Sequence, residues 1–213
     1  MGTATSRAAV GLAALALGCA GCGGSGNSSS GSAGSSTPSS SSVSTTAVSR
    51  SSGNAAFAWL RPQAPPSGWR VARIPTGAEF TYPPSWRLIK TDPGTATAAL
   101  RTPGGQYLGY LNITPQQGEE RLGNWRTFRI EHNHEEGDRS VVRLAYAGGL
   151  RFLTGHGDCV KDAYISGTGV HYIEIACLVA GTKAKTVIVG AGPPSSWSQV
   201  SGSIERAISG FRT

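Results

Sequence analysis

The chain doubles back on itself around Thr168. Cys159–Ile165 and Val170–Val179 are rich in β-branched and aromatic residues, as strands are, and Gly167, Thr168 and Gly169 lie between them as a turn. Cys159 and Cys177 each stand nine residues from Thr168. A hairpin centred there sets the two cysteines directly opposite each other, within disulfide reach as a non-hydrogen-bonded pair. The same register pairs Asp162 with Glu174 and Tyr164 with Tyr172. This half of the chain is therefore committed to an antiparallel sheet. The expected bond is structural. A redox pair is more often a C-x-x-C at a helix start, where the thiol pKa is lowered.

The facing carboxylates Asp162 and Glu174 allow two readings. Close carboxylates repel unless a cation or a shared proton intervenes. They also supply the acid and base of glycoside hydrolysis, so an envelope hydrolase using this pair is the alternative function. An open groove without a basic partner favours the enzyme. Burial against a helix, or an ion pair, favours a binding module.

The beginning of the chain is an address. Arg7 precedes the apolar run Ala8–Leu17, which is too short to span a bilayer and suits an export signal. Ala16-Leu17-Gly18-Cys19 resembles a bacterial lipobox. The resemblance implies diacylation of the Cys19 thiol and cleavage before it, with residues 1–18 as the signal peptide; Cys22, after Ala20-Gly21, is the alternative lipidation site. Two acyl chains hold stably where one does not. Residues 19–55 are then a linker, almost all Ser, Gly, Thr and Ala from Gly23 to Asn54. With no aromatic residue and no apolar period, it is expected to be disordered. An extracytoplasmic location permits a disulfide in the remaining domain, 56–213.

Within that domain, Trp69–Ile74, Glu79–Tyr82 and Trp86–Ile89 read as strands. Ala96–Arg101 and Tyr107–Ile113 form a hairpin around Pro103-Gly104, which is type II turn chemistry. Thr114, Pro115 and Gln117 suggest a helix start by capping box, and Leu122, Trp125 and Phe128 extend it to about His134; Trp125–Glu131 also reads as a strand. Asp138–Ala147 is open between a short helix capped by Asp138 and a strand over Val141–Tyr146. Leu150–Leu153 and Lys185–Val189 are strands. Ser196 caps a final helix whose stripe, Trp197, Val200, Ile204, Ala207, Ile208 and Phe211, needs a sheet face to cover.

The fold class is α+β, with a mostly antiparallel sheet. Phe80-Thr81-Tyr82-Pro83-Pro84-Ser85-Trp86 resembles the F-x-Y-P-x-x-W opening of PsbP-like domains, a group that includes LpqN-type actinobacterial lipoproteins. Lipobox, serine-rich linker, this opening and a terminal amphipathic helix follow in the same order. The resemblance implies an α/β/α sandwich and a non-catalytic binding or accessory role at the cell envelope. It carries over no catalytic residue.

The formal net charge is +7. Arg7 and Arg50 are the only charges before residue 56, so 17 basic and 12 acidic side chains, a net +5, lie in the domain. The basic residues are dispersed, which argues against nucleic acid as a partner. The expected partners are the membrane, through the N-terminal lipid, and an unspecified envelope protein, lipid or glycan. His132-Asn133-His134-Glu135-Glu136 has metal-ligand residue types without HExxH or Cys/His spacing, so no metal is expected. Gly190-Ala191-Gly192 is followed by Pro193-Pro194 and lacks the third glycine of a dinucleotide loop. No cofactor is expected.

Overall fold

The computed structural model describes residues 55–213. The lipobox, Cys19, Cys22 and the Ser/Gly linker lie outside the described residues. Among the described residues, nine strands and two helices follow in the order β1 (Arg70–Arg73), β2 (Glu79–Tyr82), β3 (Arg87–Ile89), β4 (Ala96–Arg101), β5 (Tyr107–Pro115), α1 (Trp125–Glu135), β6 (Arg139–Phe152), β7 (Gly155–Ile165), β8 (His171–Ala180), β9 (Lys185–Gly192) and α2 (Trp197–Ser209). Strands β3–β9 form one sheet in the order β3-β4-β5-β9-β8-β7-β6, and β1 and β2 form a separate hairpin. All the pairings between these strands are antiparallel.

Alternation along the strands sends side chains to two different covers. On one face Ala98, Leu111, Ile113, Ile175, Cys177 and Ile188 meet α2 and the β1–β2 hairpin. On the other, Val160, Ala176, Leu178 and Val189 meet Trp125, Leu122 and Phe128 of the α1 region. Both faces are thus buried, as in an α/β/α sandwich. The motif residues Phe80, Tyr82 and Trp86 are buried in the α2-side core, and the rings of Phe80 and Tyr82 lie 5.9 Å apart.

Helix α2 packs close to the sheet because three strand residues beneath it lack a side chain. A methyl at Gly190 would run into Ile204 Cγ2, and methyls at Gly109 and Gly192 would stand 3.1 Å and 3.0 Å from Val200. This is the structural use of Gly190-Ala191-Gly192. Val200, Ile204, Ala207 and Ile208 are buried, Phe211 is buried just past the helix, and Trp197 is half-buried with the Lys161 ammonium 5.4 Å from its ring centre. Ser196 occupies the cap position but makes no side-chain cap bond; its hydroxyl donates to the Leu108 carbonyl at 2.6 Å and so ties the helix to β5.

Three expectations require correction. The turn at Pro103-Gly104 is not type II: the Gly105 amide donates to the Thr102 carbonyl, but the positive φ that type II needs at Gly104 falls on Gly105 instead, at 83°. The capping box at Thr114–Gln117 does not start a helix. Thr114 and Pro115 continue β5, paired with Val187 and Thr186, and the Gln116 amide still reaches the Lys185 carbonyl. Proline is tolerated there because it ends the strand. The Glu120 carboxylate, not Gln117, then takes the turn amides, accepting from Gln117 and Gly118 at 2.7 and 2.8 Å. The helix begins only at Trp125 and excludes the strand alternative for Trp125–Glu131. Asp138 does not cap a short helix either. Arg139–Phe152 is a single 14-residue strand that absorbs both Val141–Tyr146 and most of Leu150–Leu153, with Gly148 and Gly149 at one of its three register shifts.

Candidate functional site

The register about Thr168 is as the sequence symmetry requires: Cys159 faces Cys177, Asp162 faces Glu174, and Tyr164 faces Tyr172. The cysteine sulfurs stand at disulfide distance, 2.08 Å apart, in the α2-side core. Asp162 and Glu174 project to the opposite face, beneath α1, and both are fully buried.

What covers them is a helix with a polar inner stripe. Trp125, Arg129 and Asn133 are the buried residues of α1, each four apart and so on one side of the helix. Trp125 donates its indole N–H to the Ala176 carbonyl at 3.1 Å. Arg129 clamps Glu174 with two parallel bonds, Nε to Oε1 at 2.7 Å and Nη2 to Oε2 at 2.9 Å. The Tyr164 hydroxyl donates to Glu174 Oε2 at 3.2 Å, and the Tyr110 and Tyr164 hydroxyls lie 3.4 Å apart. Burial works against the Arg129 charge, but the Glu174 carboxylate holds the guanidinium in its charged form. Burial also raises both tyrosines, so the hydroxyls act as neutral hydrogen-bonding groups.

Asp162 is left without a cation of its own. Burial, and then repulsion from Glu174, push its carboxyl up to about 8 against the pull of Arg129. Its one hydrogen bond is from Asn133 Nδ2 to Oδ2, at 3.4 Å. The other oxygens of this pair, Asp162 Oδ1 and Asn133 Oδ1, are buried and have no partner. Both are acceptors when Asp162 is ionised. A proton on Asp162 supplies the missing donor, so the geometry favours a neutral acid facing an amide. The site thus holds two carboxyls, one guanidinium and one proton. Asp138, where α1 hands over to β6, is pushed up to about 6 by burial and then by Glu136 and Glu174.

Such an arrangement neutralises charge internally. Glu174 has its oxygens engaged by Arg129 and Tyr164, and Asp162 has no exposure to solvent. Neither carboxyl can reach a substrate while α1 is seated. The ion pair and the helix cover are the two features that separate a binding module from a hydrolase.

The histidines take structural or surface positions. His132 stacks on Phe128 with ring centres 5.7 Å apart and pairs with Glu136 at 3.2 Å, while His134 is exposed. Among the described residues no group of three or more His, Cys, Asp or Glu side chains is placed to hold a metal. Sequence reasoning pointed to Asp162 and Glu174 but missed Arg129, Asn133 and Tyr110. The available signal was the four-residue spacing of Trp125, Arg129 and Asn133 on a helix read mainly for its apolar positions.

No protein-family model matches this sequence, and no curated protein does. Solved structures overlap it over about two thirds of its length. Cyanobacterial PsbP (CyanoP) from Synechocystis sp. PCC 6803 aligns at 14% identity, covering 68% of this chain and 92% of its own, with a TM-score of 0.48. The Ran-binding protein Mog1p of Saccharomyces cerevisiae aligns at 11% identity over 67% of this chain and 88% of its own, with a TM-score of 0.44. PA94 of Pseudomonas aeruginosa, described as a possible regulator of unknown function, aligns at 11% identity over 66% and 94%, also with a TM-score of 0.44. The α+β class of this chain rests on its own mostly antiparallel sheet and two covering helices.

Proposed function

We propose that this chain is a bacterial lipoprotein of the LpqN-type, PsbP-like group, anchored on the extracytoplasmic face of the cell membrane through Cys19. Residues 56–213 then act as a non-catalytic binding or accessory module of the cell envelope. The leader Ala8–Cys19 supports the address, and the F-x-Y-P-x-x-W residues, with Phe80, Tyr82 and Trp86 buried in the α2-side core, support the group. The observation that carries the non-catalytic reading is the two-bond clamp of Arg129 on Glu174 beneath α1. It closes the one carboxylate pair on which a hydrolase reading rests.

The anchor is tested by intact mass of membrane-extracted protein, which should show a diacylated cysteine at the new amino terminus. Lipid retained at Cys22 in a Cys19→Ser form would move the site, and a wild-type protein without lipid would end the proposal. The module reading is tested by Asp162→Asn in the native anchored protein. It should restore a deletion strain and co-purify the same envelope components as wild type. A hydrolase would lose its cellular function with this change while keeping its fold.

A further inference from the structure

Asp162 has a second basic neighbour that the buried site does not use. Strand register sets Arg143 of β6 directly opposite Asp162 of β7, and Asp162 opposite Glu174 of β8. Directly opposite residues of an antiparallel pair share a face, so the three form one row on the α1 side of the sheet. An arginine and an aspartate placed this way ordinarily pair. Here they do not. The Arg143 side chain is exposed, and its Nη1 donates to the carbonyl of Arg126, the second residue of α1, at 3.4 Å. Asp162 is fully buried, and its Oδ1 has no partner.

The other groups around Asp162 are engaged or acidic. From α1, Arg129 is clamped on Glu174, and Asn133 gives its amide N–H to Asp162 Oδ2. Tyr164, two residues along β7, donates to Glu174, which is the neighbour from β8. Asp138, at the join of α1 and β6, adds negative charge, and Glu136 beside it is paired with His132. Arg139 and Lys161 stand on the opposite face, the one opposite Ile165 and the other next to Asp162 in the strand. The Arg126 guanidinium lies over the Tyr146 ring. Among the described residues, Arg143 is therefore the cation on this face best placed to meet an ionised Asp162.

With a proton on Asp162 the site is neutral, one carboxylate against one guanidinium. Loss of that proton to solvent leaves two carboxylates against one guanidinium in a site without water, and a buried uncompensated charge is strongly destabilising. A guanidinium held outside by one long hydrogen bond is readily released to compensate it.

We infer that Arg143 is a movable counterion for Asp162: it rests on the Arg126 carbonyl while Asp162 holds its proton, and turns inward onto Asp162 Oδ1 when the proton leaves. The fold thus contains a pH-sensitive switch. Its moving part is a side chain of the edge strand, and what it releases is the first turn of α1. The switch goes beyond the proposed binding role and does not depend on which ligand the module takes.

The test is NMR of residues 55–213, which contain the whole sheet, both helices and both cores. The carboxyl carbon of Asp162 and the Nε–H of Arg143 would be followed from pH 5 to 10, a range that brackets the value of about 8 to which burial pushes Asp162. In wild type both signals should move with one midpoint. Arg143→Gln should raise the Asp162 midpoint by about one pH unit or more, because the ionised form loses its counterion. Arg143→Lys should restore most of the wild-type midpoint. Arg151→Gln removes the same charge from an exposed residue of the same strand and should leave the midpoint nearly unchanged, since an exposed charge at that distance is screened. In Asp162→Asn the Arg143 signal should stay at its low-pH position throughout. Equal shifts from Arg143→Gln and Arg151→Gln would mean that net charge alone is felt and would overturn the inference. So would an Arg143 signal that stays flat while Asp162 titrates, an Arg143 signal that still moves in Asp162→Asn, or an Asp162 that does not titrate in this range.

Discussion

The proton on Asp162 has a measurable consequence for stability. In the unfolded chain this carboxyl titrates near its ordinary value of 3.8, whereas in the folded protein it is pushed up to about 8. Below the lower value both states hold the proton, and the group adds no pH dependence. Between the two values the folded protein keeps a proton that the unfolded chain releases. The unfolded state binds fewer protons, so stability falls as pH rises through this window and levels off above about 8. The full slope for one such group is about 1.4 kcal/mol per pH unit. Integrated from pH 4 to 7 this is about 4 kcal/mol, taken as an upper bound. Asp138, pushed up to about 6, contributes in the same direction over a narrower range.

Asp162→Asn isolates the term. An amide at this position has the same shape, holds no titrating proton and offers an N–H to Asn133 Oδ1, the acceptor left orphaned in the wild type. Urea unfolding should be followed at intervals from pH 4.5 to 8.5. The variant should lose less stability than wild type on going up this range, by on the order of 1 kcal/mol per pH unit between pH 5 and 7. At pH 8 it should be the more stable protein. Parallel pH profiles for the two proteins would refute a protonated Asp162 and with it the acid–amide pairing. A variant less stable at every pH would refute the claim that the buried site tolerates a neutral partner.

Removing Arg129 should have the opposite character. Arg129→Met leaves Glu174 buried without its cation and should cost about 3–5 kcal/mol in urea unfolding, while Arg129→Met with Glu174→Leu should recover most of that loss. Ile204→Ala should cost about 2–5 kcal/mol because its side chain fills the floor left by Gly190. Gly190→Ala, the reverse change, should cost about 1–3 kcal/mol by overpacking the same contact. Thiol counting on denatured, oxidatively prepared 55–213 should find no free thiol. Cys159→Ala/Cys177→Ala should then lower stability by up to about 3 kcal/mol, the chain-entropy figure for a loop of this size. Two free thiols in fully folded protein would remove the bond.

How legible the fold was depended on the source of each signal. The β7–β8 hairpin could be read to the residue because its turn glycines and its cysteines give the same register, and a two-residue period leaves no room for a slip. The α2 stripe was legible because burial on one side of a helix leaves a 3.6-residue trace. The segment 114–124 was not. Thr114, Pro115 and Gln117 satisfy the local chemistry of a helix start, but β9 offers Thr114 and Pro115 a ladder, and pairing with a strand some 70 residues away leaves no local mark. Strand β6 was hidden for a related reason. Paired glycines ordinarily end an element, yet Gly148 and Gly149 sit in a bulge inside a continuous strand, with the Gly149 amide donating to Asp158 Oδ1 at 2.9 Å and the Tyr146 hydroxyl to Oδ2 at 2.7 Å.

The site was half legible, and the missing half decides what it does. Two facing carboxylates follow from the hairpin alone, and their chemistry is ambiguous until a third group is known. That group is Arg129, which is 45 residues from Glu174 in sequence and lies on an element whose helical character was itself in doubt. An arginine on a surface helix is ordinarily solvated, with its stem along apolar neighbours. Nothing in its immediate sequence marks this one as an inward residue. The mark is collective: Trp125, Arg129 and Asn133 recur every four residues, so burying Trp125 over Ala176 carries the other two onto the carboxylates. The tryptophan is thus what aims the arginine. Trp125→Ala should therefore do more than open a cavity. It should loosen the clamp on Glu174, and Asp162 should titrate closer to its ordinary value as water reaches it, a change that 13C NMR of the carboxyl carbons can follow. An unchanged Asp162 titration in a folded Trp125→Ala protein would show that the polar stripe holds α1 in place without its apolar anchor.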